Sequence, residues 1–148
     1  MTTMRRRMMR TGNAIGLWIH RRFKGRLDSG GSATVLMLTS PGRRTGLPRS
    51  VMVRYLEHDG GYLVWGTGSG ATTEPDWFRN LRRSDRSVVE IGTRSTPVTP
   101  DVLVGAERDR VWREVVLAAA PVVAKYEAKA GRIIPVAVLR PAPLTPPG

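Results

Sequence analysis

The chain contains no cysteine, which excludes a disulfide framework, a thiolate metal site and a cysteine nucleophile. Its only imidazoles are His20 and His58. Two isolated histidines are poor material for a His-rich metal centre or a Ser-His-Asp triad, so no metal site is expected. Long apolar runs are missing too. No stretch approaches the roughly 20 residues of a membrane-spanning helix. The apolar triplet Leu17-Trp18-Ile19 is too short for a secretory signal, and basic residues follow it at once. The expected location is the cytoplasm. Acidic residues are scarce where basic ones are dense. Residues 1–27 hold eight Arg and Lys and no Asp or Glu, whereas the remaining 121 hold 16 basic and 12 acidic groups. The formal net charge of +12 is therefore concentrated in the first fifth of the chain. Such an arm suits an anionic partner: nucleic acid, a membrane surface or a charged ligand. Specific nucleic-acid binding is disfavoured, since only Trp18 and Phe23 interleave with the basic residues and no reader motif occurs.

What is present reads as a single domain with an arm. A hydrophobic fraction of 41% over 148 residues suffices for an ordinary core. Residues 1–12 read as a disordered basic arm. From Asn13 to Leu27 the apolar residues Ile15, Trp18, Ile19, Phe23 and Leu27 recur at helical spacing. This helix could pack its stripe on the domain core or lie on an anionic membrane. Asp28 to Ser32 is a linker. Strands are expected over 33–39, 49–56, 62–67, 87–91, 96–104 and 133–139, and helices over 76–83, 105–120 and 122–130. Asp59-Gly60 marks a hairpin turn. Pro97 and Pro100 make 96–104 an expected edge strand. Residues 141–148 read as a flexible Pro-rich tail. About six strands without regular β-α-β alternation disfavour a Rossmann sheet and favour a small closed or split β-barrel with flanking helices.

The central stretch is Thr39 to Arg49, TSPGRRTGLPR, set between two apolar runs. Glycine permits tight turns and close backbone approach, and arginine offers bidentate bonds to phosphate or carboxylate. The stretch reads either as an anion site or as a merely basic hairpin loop. A second glycine-rich loop, Gly66 to Ala71, follows another apolar strand, and both loops could border one cleft. Neither matches a dinucleotide or P-loop fingerprint. Arg54, among apolar strand residues, is either an anion ligand or an outward-facing side chain. Trp77 could stack on a planar ring or anchor the core, and Asn80 could bond a ring carbonyl or brace a loop. Thr67 and Tyr126 are hydroxyl donors. Neither glycine loop carries paired carboxylates, and no strong nucleophile stands out, so an enzyme built on this chain needs a cofactor for the hard chemistry.

Leu38 to Arg49, Gly66 to Ala71, Pro75-x-Trp77-Phe78-x-Asn80-Leu81, Val89-Glu90 and Arg132-x-Ile134-Pro135-Val136 together resemble one family, the deazaflavin-dependent nitroreductases or F(420)H2-dependent quinone reductases. The likeness covers nearly all of the chain after residue 13. It implies a mainly β (α+β) fold, a split β-barrel similar to FMN-binding barrels, over residues 28–140. It implies coenzyme F(420) as cofactor, with FMN the lesser alternative. The implied reaction is hydride transfer from reduced deazaflavin to a quinone, nitro or other conjugated electron-poor substrate. A non-catalytic carrier of a lipid or flavin-like cofactor remains the alternative. By position, Arg43, Arg44, Thr45 and Arg49 would meet the cofactor's phosphate and tail. Ser50, Val51, Met52, Val53 and Arg54, then Trp65, Gly66, Thr67 and Gly68, then Asp76, Trp77, Phe78, Arg79 and Asn80, would follow its ring and linker. Thr67 and Tyr126 would stand at the reacting end. The chain departs from the family where Met52 replaces proline, Arg54 an aromatic residue and Gly68 a lysine. Ala120 and Val123 stand where tyrosines line the pocket of nitro-drug-activating members. The resemblance and the basic helix together imply a peripheral position on the inner face of the cell membrane, where quinones reside.

Overall fold

The computed structural model describes residues 34–142. The arm 1–12, the amphipathic segment 13–27, the linker 28–32 and the tail beyond residue 142 lie outside the described residues.

Seven strands form one antiparallel sheet. They are β1 (Val35–Pro41), β2 (Pro48–Arg54), β3 (Leu56–His58), β4 (Gly61–Trp65), β5 (Ser87–Ile91), β6 (Arg94–Val102) and β7 (Val136–Pro141). Their order is β2-β1-β5-β6-β7-β4-β3. The two outermost strands, β2 and β3, are consecutive in the chain and separated only by Tyr55. One residue cannot span a flat seven-stranded sheet, whose edges would stand roughly 28 Å apart at the usual strand spacing. The sheet must therefore curl until its edges nearly meet, which produces the split barrel.

Side chains alternate across each strand, and each face is used. Leu36, Leu38, Val64, Val89, Val98, Ala137 and Leu139 fill the barrel interior, together with Phe78 and Leu81 from helix α1 (Asp76–Arg83). On the outer side of β4 and β7, Leu63, Trp65, Val136 and Val138 pack beneath a helical layer. That layer comprises α2 (Gly105–Val111), a π-helical turn (Trp112–Val116), α3 (Leu117–Ala119) and α4 (Val123–Ala130). The wider turn advances the buried stripe by one residue. Val116 and Ala120 are buried, while Ala119 is exposed. Arg108 is also buried. It donates Nε and Nη2 to the Ile134 carbonyl at 3.1 and 2.6 Å and lies over the Trp112 ring.

Three expectations are corrected. The single strand over 49–56 is two strands, because Tyr55 turns inward and its N–H bonds Thr34 O at 3.0 Å. The 96–104 strand is not an edge, since β6 pairs with both β5 and β7. Its prolines are tolerated because each faces the end of a neighbouring strand. Pro97 O accepts from Ala142 N, just past β7, and Pro100 lies beyond the last β5 pair, Ser87–Val98. Neither missing N–H thus breaks a ladder bond. The last strand starts at Val136, leaving Ile133 exposed, and runs on to Pro141. The Asp59-Gly60 hairpin is present, with φ of 51° and 74°. The helix over 76–83 and the strand over 87–91 coincide with their expected spans.

Candidate active site

The loop joining β1 to β2 is built by its own short bonds. Gly42 N–H donates to Leu47 O at 2.8 Å, Gly46 N–H returns to Gly42 O at 2.8 Å, and Leu47 N–H donates to Thr45 Oγ1 at 3.2 Å. Gly46 adopts a φ of 74°, the left-handed region that glycine enters without steric cost. Helix α1 fixes the loop from outside. Buried Asn80 accepts twice through Oδ1, from Arg43 N–H at 3.1 Å and from Arg43 Nη1 at 2.9 Å. Arg43 Nη2 also pairs with Asp76 Oδ1 at 3.1 Å.

Between loop and helix lies an open cavity of about 660 Å³. Its walls include Arg43, Arg44, Thr45, Arg49, Ser50 and Val51 from the β1–β2 side. Asp76, Trp77, Arg79 and Asn80 line it from α1. Four guanidiniums thus face one carboxylate. Among the described residues, Arg44, Arg49 and Arg79 form no ion pair or side-chain hydrogen bond, which leaves their donors available to a ligand. Trp77 is half-buried, contributing an aromatic wall while its ring meets Phe78 edge-on at 5.3 Å. Gly42 also lines the cavity. It was legible only as part of the turn, and the fold alone shows that it reaches the wall.

The rest of the expected site falls elsewhere. Phe78 is completely buried in the barrel interior under Gly66, and Trp65 is buried beneath the helical layer. Val53 packs on the interior cluster, and Met52 is half-buried on the outer face. Arg54 is exposed, forms no ion pair among the described residues, and ends β2 away from Arg49. The loop of Gly66, Thr67 and Gly68 does not line this cavity, because Arg132 folds it toward α4. Arg132 donates to Gly66 O, Thr67 O and Ala71 O at 3.2, 3.1 and 3.0 Å. The adjacent Gly70 sits directly against Lys129 of α4. Thr67 is half-buried there, and Tyr126 is 38% exposed on α4. The clamping role of Arg132 is invisible in the sequence, where its targets lie 61 to 66 positions away. Among the described residues no cluster of acidic and histidine side chains could hold a metal ion.

The family model for F(420)H(2)-dependent quinone reductases matches residues 13–141. The chain belongs to the F(420)H(2)-dependent quinone reductase family. An F(420)H(2)-dependent quinone reductase of Mycobacterium tuberculosis is 27% identical over 111 residues, 74% of each chain. A solved F(420)-H2 dependent reductase superposes with a TM-score of 0.63 at 28% identity, covering 72% of this chain and 94% of that one. A second structure, described as a domain-swapped dimer, gives 0.64 at 25% identity and covers 83% and 97%. The family's reductases are oxidoreductases, coenzyme F(420) is the cofactor, and the split barrel is their fold.

Proposed function

We propose that the cavity between the β1–β2 loop and α1 seats the phosphate and tail of coenzyme F(420), in an enzyme that reduces a quinone or a related conjugated acceptor. The observation that carries this reading is the convergence of Arg43, Arg44, Arg49 and Arg79 on one open cavity with a single opposing acid. The donor set fits a ligand bearing several negative charges. Guanidinium forks bind phosphate and carboxylate oxygens bidentately, and three of the four have no partner to displace among the described residues. Bound there in its reduced form, the deazaflavin supplies the hydride.

The chain's own residues then bind and orient. Arg44 and Arg49 hold the anionic groups, and Arg43, braced by Asn80 and Asp76, supplies a rigid donor with little ordering cost. Trp77 offers an apolar wall on the α1 side. Thr67 and Tyr126 provide hydroxyl donors on the 66–71 loop and α4, where they would polarise the acceptor. The basic arm adds electrostatic attraction to an anionic membrane, where quinones reside. Among the described residues no helix is long and apolar enough to cross one.

The test is a titration with oxidised coenzyme F(420), with FMN in parallel, followed by tryptophan fluorescence and then by menadione turnover. Trp77 lines the cavity and is the expected reporter, so quenching should vanish in Trp77→Phe. Quenching by deazaflavin with turnover supports the proposal. Binding without turnover above the protein-free rate would point instead to the carrier alternative.

A further inference from the structure

The helical layer has two outward faces of different chemistry. Over α2 and the π-helical turn the exposed side chains carry both signs, among them Glu107, Asp109, Arg113 and Glu114, as a solvated surface does. From residue 117 to 133 the pattern changes. Glu127 is the one acid in that span, and it is half-buried. The exposed residues there are Val122, Lys125, Tyr126, Lys129 and Ile133, with only alanine, proline and glycine besides. Val122 is 44% exposed and Ile133 77%.

Helix geometry gathers these side chains. Val123 and Ala130 turn inward to the core beneath the layer. Val122 and Tyr126, four residues apart, share one line on the flank of α4. Lys125 and Lys129 repeat that spacing on the adjoining line, further outward. Neither lysine forms an ion pair among the described residues. Ile133 stands just past Gly131, which ends α4 at a left-handed φ of 64°. An apolar line bordered by unpaired lysines, whose long stems let the ammonium groups reach outward, is the pattern of a surface that meets lipid. A second copy of the chain is a poor occupant. A two-fold contact would set the same lysines against each other, between molecules of net charge +12. Anionic lipid complements the face, with phosphates for the lysines and an apolar boundary for the other side chains.

We propose that this face of α4 rests on an anionic bilayer surface, with Val122, Tyr126 and Ile133 at the boundary of headgroups and acyl chains and with Lys125 and Lys129 on lipid phosphates. The face adjoins the loop that carries Thr67, because the Lys129 stem lies against Gly70. On the proposed function, on which this route rests, a quinone dissolved in the bilayer leaves it beside Thr67 and Tyr126.

Probe depth in the full-length chain tests the surface. The chain has no cysteine, so Ile133→Cys accepts a single environment-sensitive nitrobenzoxadiazole label. Thr93→Cys, exposed just before β6 at the end of that strand away from the helical layer, carries the control. Phosphatidylglycerol vesicles at low salt should shift the emission at position 133 to the blue and open it to quenching by spin-labelled acyl chains. The label at position 93 should show neither effect. Lys125→Gln should weaken vesicle binding, read by that shift, about fivefold. Vesicle binding without a shift at position 133, or equal shifts at both positions, would overturn the proposal, as would no binding at all. A blue shift that needs no vesicles and grows with protein concentration would place a second copy on this face and overturn it too. Menadione turnover of the labelled chain without vesicles is measured in parallel. It tests the reductase reading alone, so failure of that reading and failure of the surface appear in different signals.

Discussion

Asn80 is the most informative residue to change, because one oxygen holds the cavity's loop to its helix. Asn80→Ala removes the acceptor for the Arg43 backbone N–H and for Arg43 Nη1. A neutral bond contributes about 0.5–1.5 kcal/mol and one to a charged donor about 1.5–3. The Arg43 side chain is 19% exposed and keeps Asp76, so the larger figure needs discounting. A total near 2–3 kcal/mol is expected, roughly a 6–10 °C fall in Tm for a domain of this size. Cofactor affinity should fall with it, since Arg43 is no longer held in place. Asn80→Asp separates the two effects. It keeps the acceptor and strengthens the tie to Arg43, so stability should hold. It also adds a negative charge beside an anion site, so affinity for coenzyme F(420) should fall about tenfold or more. Thermal unfolding and fluorescence titration of the three proteins decide the matter. If Asn80→Ala unfolds within about 2 °C of the wild type and binds cofactor as tightly, Asn80 does not hold the loop and the argument fails.

Other outcomes follow from the same geometry. Arg44→Ala and Arg49→Ala should each weaken cofactor binding roughly tenfold while leaving Tm unchanged, because neither has a side-chain partner to lose among the described residues. Arg54→Ala should do neither, and a titration that shows it binding as poorly as Arg49→Ala would contradict the placement of the cavity. Gly61→Ala should cost about 2 kcal/mol or more in urea unfolding, since its Cβ would sit 2.6 Å from the Leu139 carbonyl oxygen in the neighbouring strand and backbone cannot give way easily. Tyr55 titrates above its ordinary value of 10.0 because burial, then Glu57 and Tyr62, oppose its ionisation. Its protonated form is the one the fold favours. The associated stability is complete below pH 10.0 and is lost as pH rises through the raised value. Tyr55→Phe should therefore lose less stability than the wild type on the alkaline side, and parallel alkaline curves for the two proteins would refute this.

Local chemistry made much of this chain readable before folding. The Asp59-Gly60 turn, the helix after Pro75 and the alternating strands depend on residues near one another in sequence, so their pattern carries the information. The basic glycine-rich stretch 39–49 and the Pro75-to-Leu81 segment were legible as a pair through the family likeness. What sequence alone left open is set by contacts distant in the chain. Arg54 ends the strand near whose start Arg49 stands, and only the placement of helix α1 against the Arg49 end decides which of the two lines the cavity. Only two hydrogen bonds across 37 residues show Asn80 bracing Arg43. Phe78 and Trp77 are neighbours with the same aromatic signal, and the rotation of α1 puts one in the core and the other on the cavity wall. Arg132 clamps the second glycine loop from 65 residues away at Thr67. Sequence determined which segments form strands, turns and helices, because propensity and periodicity act over a few residues. Tertiary structure decided which side chains share the cavity, because burial and hydrogen-bond geometry exist only after distant segments meet.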